Sequence, residues 1–145
     1  MTICTAMTSN AVIFDSSALM AWLNVTDADH TKALAVIGSM RKHYFYLLPL
    51  EVLAETLNVV GRKVSHESVV KAGRAILIKK ARGEIDFINS DASILSLALD
   101  LQASASGGSS FVDCLVMAHA EHQQTPYIFG FDTTFKKNGY RLPGN

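Results

Sequence analysis

The sequence predicts an α/β fold of three layers, with a mainly parallel sheet of four to five strands sandwiched between helices. Three observations point there. Short apolar runs alternate with amphipathic stretches along most of the chain, the pattern of strands joined by crossover helices. The first run, residues 12–14, is apolar without alternation, as a strand covered on both faces requires. It stops abruptly at Asp15, and open α/β sheets bind ligands beyond the carboxyl ends of their strands.

Taken in order, residues 1–10 carry neither a basic start nor a long apolar run, so they read as a loose lead-in rather than a signal peptide, with Met7 as an alternative initiator. Residues 11–145 then form a single domain. After the strand ending at Asp15, residues 18–23 read as a helix packed close to the sheet. A polar turn holds Asp27, Asp29 and His30, and residues 31–41 form a second helix whose basic end, Arg41 and Lys42, suits the helix dipole. Residues 44–48 are aromatic and aliphatic enough for a strand, and Pro49 suits a first helical position. The third helix places Leu50, Leu53, Leu57 and Val60 inward and ends at Gly61 as a cap. Ser65 caps a fourth helix running to about Ala81, with Val69, Val70, Ile76 and Leu77 inward. Residues 84–89 form a strand, and Ser90 or Asp91 caps a helix over residues 92–101. A small, flexible loop covers residues 103–110. Ser110 caps the next helix, where Asp113 follows at the spacing of a capping box. Residues 126–129 form a fourth strand, followed closely by Asp132, and residues 140–142 add an edge strand.

Length and composition narrow the function. The chain has 145 residues, 49% of them hydrophobic, enough for a core without disulfides or metals. Thirteen basic residues balance thirteen acidic ones, so there is no global pull toward nucleic acid or membrane. Two cysteines make no disulfide framework and fit a reducing, cytoplasmic compartment. No apolar run is long enough to cross a membrane. The exception to the balance is local. From Arg62 to Arg82 the chain carries Arg62, Lys63, Lys71, Arg74, Lys79, Lys80 and Arg82 against Glu67 alone. Such a run is usually a solvated face, but its asymmetry makes a phosphate-backbone surface through Arg62, Lys63, Lys71 and Arg74 a fair expectation.

Four acids could meet at the strand-end rim: Asp15, Glu55, Asp113 and Asp132. Each has an innocent reading, Glu55 as a helix-surface acid and Asp113 as a cap. Glu55 ranks above Glu51 because its neighbours are apolar. Clustered carboxylates repel unless protons or a cation compensate. A hard divalent cation, Mg²⁺ or Mn²⁺, takes oxygen ligands and activates water against a phosphate, so four acids with no obligatory histidine suggest phosphodiester chemistry.

The apolar-Asp-Ser-Ser-Ala-Leu start, Leu-Ala-Glu-Thr-Leu around Glu55, the Ser-Phe-Val-Asp-Cys-Leu-Val-Met-Ala-His-Ala helix and the late Phe-Gly-Phe-Asp-Thr-Thr-Phe together resemble a PIN domain, and within that family the VapC toxins of toxin-antitoxin pairs. The resemblance spans residues 12–137. It implies a metal-dependent endoribonuclease in which Asp15, Glu55, Asp113 and Asp132 hold one or two Mg²⁺ or Mn²⁺ ions, with in-line hydrolysis leaving a 5′-phosphate and a 3′-hydroxyl. It further implies an RNA substrate, a homodimer, and an antitoxin partner whose arm fills the acidic groove. Ser16 matches a hydroxyl that often lies beside the site. One position departs: Gly130 stands where many members have Thr or Ser, which removes a supporting hydrogen bond that Thr133 or Thr134 could replace.

Other readings fit less well. A haloacid-dehalogenase-type phosphatase needs a second Asp at position 17, which is Ser17, and a receiver domain needs paired early acids. Zinc through Cys114, His119 and His122 is disfavoured because Cys114 and His119 do not share a helix face; a solvated histidine pair is the expectation. The non-catalytic alternative is a PIN-like protein that only binds RNA or a partner, with Gly130 as its best support.

Overall fold

The computed structural model describes residues 9–104 and 108–143. Most of the expected lead-in, and the middle of the loop expected over residues 103–110, lie outside the described residues. The elements run β1 (Ala11–Phe14), α1 (Ser16–Leu23), α2 (His30–Met40), β2 (Phe45–Pro49), α3 (Leu50–Lys63), α4 (His66–Ala81), β3 (Asp86–Ile88), α5 (Ala92–Ser104), α6 (Phe111–His122), β4 (Ile128–Phe129) and α7 (Thr133–Lys137). The four strands are all parallel, in the order β3-β2-β1-β4. Helices flank them in the three-layer arrangement the alternation predicts.

The order locates the site before any side chain is considered. From β1 the chain steps outward to β2 and β3, then returns to the other side of β1 for β4. Connections therefore leave β1 and β4 in opposite directions, and a crevice opens at their carboxyl ends.

β1 is buried along its whole length, which explains its unbroken apolar run. Phe14 is its keystone. Its ring stacks on Trp22 at 5.5 Å and meets Tyr46 and Phe129 edge-on at 5.3 and 5.1 Å, joining α1, β2 and β4 in one aromatic cluster. Behind it, α6 buries seven consecutive residues, Cys114 to Ala120. Only a helix enclosed on nearly all sides is apolar all round, and α6 packs against both β1 and α5.

Several local expectations are corrected. Pro49 ends β2 and is the N-cap of α3 rather than its first helical residue. Gly61 lies inside α3, which continues to Lys63 and ends on Val64. The inward stripe of α3 is Val52, Thr56 and Val60, with Leu50 partly exposed. Thr56 takes that buried place because its hydroxyl donates to the Val52 carbonyl at 2.8 Å. In α4 only Ile76 is buried, while Val70 and Leu77 face outward, because α4 packs on α1 and α3 along one face. The edge strand over residues 140–142 reduces to one parallel bridge, Tyr127 to Arg141. α5 extends past residue 101, and α7 follows Asp132 where no helix was expected.

Phe14 is fully buried, so Phe14→Ala should cost about 3–5 kcal/mol. Chemical denaturation followed by the fluorescence of Trp22 would check this, the expected result being a lower midpoint with an unchanged slope.

Candidate active site

Asp15 is the residue at which strand becomes helix. Its N–H donates to the Phe129 carbonyl at 2.9 Å, the last rung joining β1 to β4, and its own carbonyl accepts from Leu19 N–H at 3.1 Å, the first turn of α1. The carboxylate thereby points into the crevice as the N-cap of α1. Its Oδ2 accepts from the Ser17 hydroxyl at 3.1 Å and, more weakly, from Ser17 N–H at 3.5 Å. The Ser17 oxygen in turn accepts from Phe131 N–H at 2.9 Å. One hydroxyl thus ties the acid to the segment after β4. Ser16, expected as the supporting hydroxyl, is the first residue of α1, directly after Asp15.

The other oxygen, Asp15 Oδ1, is buried with no hydrogen-bond partner. Asp15 is 3% exposed, and burial pushes its pKa up to about 6, with a further upward push from the negative charge of Asp113. Asp113 sits in the first turn of α6 and closes a capping box. Its N–H donates to Ser110 Oγ at 3.1 Å, and its Oδ2 accepts from Ser110 N–H at 3.0 Å. The cap fixes the acid and leaves its other oxygen free of that bond, so the structural and site readings of Asp113 are compatible.

Asp132 caps α7, with Oδ1 accepting from Thr134 N–H at 2.9 Å, and its side chain is exposed. Glu55 lies half-buried on α3. Among the described residues the ion pairs are Arg41–Glu84 and Lys80–Asp86, so none of these four acids is neutralised by a basic side chain. Nor, among the described residues, do three or more His, Cys, Asp or Glu side chains stand close enough to hold a metal ion. Asp113 lies close enough to Asp15 for its charge to push that residue's pKa up. They still fit a hard cation of the magnesium type, which is bound through one or two carboxylates and keeps several waters. The orphaned Oδ1 and the unfavourable charge on Asp15 are what such an ion would relieve.

Gly130 has a steric explanation. A Cβ there would lie 2.9 Å from Asp15 Cβ, 3.1 Å from its Oδ2 and 3.1 Å from a ring carbon of Phe135. The β4 backbone approaches Asp15 so closely that a side chain has no room. The same oxygen, Asp15 Oδ2, accepts its hydroxyl hydrogen bond from Ser17.

Glu51 is not idle. It accepts a hydrogen bond from the Ser90 hydroxyl, whose oxygen lies 2.8 Å from His119 Nε2. Since that hydroxyl donates to Glu51, Nε2 must carry the proton that it gives to Ser90. His119 is 2% exposed and its pKa is lowered, chiefly by burial. This corrects the expectation of a solvated histidine pair: His122 is exposed, but His119 is a core residue tying α6 to the segment after β3.

The basic residues expected on RNA, Arg62, Lys63, Lys71 and Arg74, are all exposed. Lys63 and Lys71 line a groove of ≈ 710 Å³ between α1, the turn after it, α3 and α4. A second cleft, of ≈ 280 Å³, opens beside Gly130 and Asp132 and is bordered by Lys32, Lys136 and Arg141. Sequence reasoning missed this set and Ser17. The only signal was the proximity of Lys136 and Arg141 to Asp132 along the chain.

Two expectations follow. The folded-state pKa of Asp15 is raised above the unfolded value near 3.8, so folding is penalised when the group ionises. Without divalent ions the penalty is absent below about pH 4, grows as pH rises toward about 6, and reaches roughly 3 kcal/mol above that. Asp15→Asn should therefore be more stable than the parent at pH 7.5 in EDTA, with the difference vanishing by about pH 4 in thermal melts. Gly130→Ala should cost about 1–3 kcal/mol by overpacking, read as a lowered thermal midpoint at neutral pH.

Residues 12–139 match the family model of the PIN domain. No curated protein sequence matches the chain. Among solved structures, VapC20 of Mycobacterium tuberculosis, a toxin that cleaves the sarcin–ricin loop, superposes with a TM-score of 0.78 at 23% identity, over 90% of this chain and 96% of that one. At that identity the likeness is one of fold, and it agrees with the parallel sheet and the crevice at β1 and β4. With the family match spanning all four acids, the chain belongs to the PIN domain family.

Proposed function

We propose that this PIN domain is a metal-dependent endoribonuclease, the toxin of a toxin-antitoxin pair, acting on RNA phosphodiester bonds with Mg²⁺ or Mn²⁺. The observation that carries the reading is Asp15: a buried carboxylate at the sheet's switch point, held by Ser17 on one oxygen and unpartnered on the other. Asp15 and Asp113 would hold the cation, with Glu55 and Asp132 completing the acidic site as substrate enters. A bound divalent cation supplies activation of water and charge neutralisation at the scissile phosphate.

The chain's own residues do the positioning. Ser17 fixes the Asp15 carboxylate and is itself fixed by Phe131 N–H. The Ser110 cap orients Asp113. Gly130 leaves open the space beside Asp15 that a side chain would fill. Arg62, Lys63, Lys71 and Arg74 form an outer surface for the RNA backbone away from the cut. A homodimer, a cytoplasmic location and a cognate antitoxin entering the acidic groove belong to the same reading, supported by family membership and by the fold shared with a toxin. Against the binding-only alternative, the close approach of Asp15 gives Gly130 a steric reason of its own.

The test is incubation of the protein and its Asp15→Asn variant with total RNA in Mg²⁺, in Mn²⁺ and in EDTA. Discrete products are expected with metal and the parent protein. They should vanish in EDTA and form at least roughly a hundredfold more slowly with the variant, the scale of losing one electrostatic contact at a reacting centre. Cleavage that is indifferent to EDTA, or equally fast in Asp15→Asn, would reject the mechanism.

A further inference from the structure

The cleft beside Asp132 is built unlike the rest of the acidic crevice. Lys32 reaches it from α2, Lys136 from α7 and Arg141 from the segment after α7, so three basic side chains converge on one small space with Asp132 as the acid among them. None of the three basic groups makes an ion pair among the described residues, and all three are exposed. Between them lies Phe131. Its ring is steadied edge-on against Phe129 at 5.6 Å, and Lys32 Nζ stands 5.2 Å from its centroid. The Phe131 backbone N–H is the one that holds Ser17, and through Ser17, Asp15.

We infer that this cleft is the subsite for the nucleotide next to the cut: a single-stranded RNA base packs on Phe131, and Lys136 and Arg141 hold the adjoining phosphates. The inference rests on the nuclease reading for what happens at the acids, but not for what binds in the cleft. Three observations favour single-stranded RNA over an acidic protein segment. Unpaired basic groups around an aromatic ring are what single-stranded nucleic acid requires, charge for the backbone and a flat apolar surface for the base. The ≈ 280 Å³ volume lies at the small end of ligand pockets and suits one nucleotide rather than a packed helix. And the cleft shares Gly130 and Asp132 with the crevice, so a strand lying in one runs directly into the other. The basic run on α3 and α4 lacks this continuity, since the groove that Lys63 and Lys71 line shares no residue with the cleft.

The test is fluorescence anisotropy of a labelled single-stranded RNA, carried out in the Asp15→Asn background so that the strand stays intact, across a salt series. Lys136→Gln with Arg141→Gln should weaken binding and flatten the dependence of log affinity on log salt by about 1.4, roughly 0.7 for each phosphate contact on a single strand. Phe131→Leu, which keeps an apolar side chain but removes the flat face, should weaken binding about tenfold with the salt slope unchanged. Circular dichroism and Trp22 fluorescence check each fold, and the exposed double variant keeps the test valid should Phe131→Leu fail to fold. Unchanged affinity and slope in the folded variants would overturn the inference, as would loss of affinity for a labelled acidic peptide while RNA binding is kept. The nuclease reading fails separately: this binding pattern without metal-dependent cleavage by the parent would sink that reading and leave the subsite standing.

Discussion

The contact between Asp15 and the Gly130 backbone governs the geometry of this domain. β1 and β4 pair through only two residue positions, Ile13 with Ile128 and Phe14 with Phe129, and the ladder ends on Asp15 N–H and the Phe129 carbonyl. One residue later the two chains would collide if either carried more bulk, and glycine removes it on the β4 side. The Ser17 hydroxyl then bridges what the ladder no longer joins, donating to Asp15 and accepting from Phe131. A strand end, a helix start and the entry to α7 are thus locked together by one backbone rung, one hydroxyl and one absent side chain.

That lock has an electrostatic cost which the site can use. A carboxylate buried without a partner on one oxygen is destabilising as an anion, and the nearby charge of Asp113 adds to it. A fold optimised for stability alone would place an apolar residue here. The surrounding structure carries the strain because the aromatic cluster on Phe14 and the enclosed helix α6 supply ample burial immediately behind the rim. Polar groups deeper in the molecule are treated differently: Glu51, Ser90 and His119 satisfy one another, and Thr125 donates to the Ala11 carbonyl at 2.5 Å while accepting from Tyr127 N–H. Of the three buried side-chain oxygens without a partner among the described residues, Asp15 Oδ1, the Tyr46 hydroxyl and Glu84 Oε2, the first is the one at the end of β1.

Charge is unevenly spread in a chain whose sum is zero. Asp15 ends β1, and Asp113 and Asp132 stand at the starts of α6 and α7. Most basic groups fall in two separate places, the run over α3 and α4 and the cleft beside Asp132. Under the proposed nuclease reading, a polyanion over these acids would be held by its flanks, because carboxylates repel its phosphates until a cation intervenes. Flexible basic groups on either side supply that attraction without adding ligands at the rim itself.

Much of this was legible in the order of residues. The apolar run ending at Asp15, the alternation of strands and helices, and the Ser110–Asp113 cap are local patterns whose physics acts within a few residues, so sequence determined the three-layer class, the β1 rim and the start of α6. The four acids were nameable because each follows a strand or sits in a recognisable helix motif. Other features depended on which distant segments meet. The inward face of α3 went to Val52, Thr56 and Val60 instead of the leucines because α1 and α6 approach from that side. His119 became a buried partner of Ser90 because α6 is enclosed, which its own composition, with both histidines in the last turn, does not announce. Gly130 looked like a lost hydroxyl until the β4 backbone was seen against Asp15, and Lys32, about a hundred residues from Arg141 in sequence, joins it at one cleft only through packing. Sequence by itself determined the elements and the chemistry available to them; tertiary structure decided which side chains share a space, because burial and close approach are properties of pairs of segments far apart in the chain.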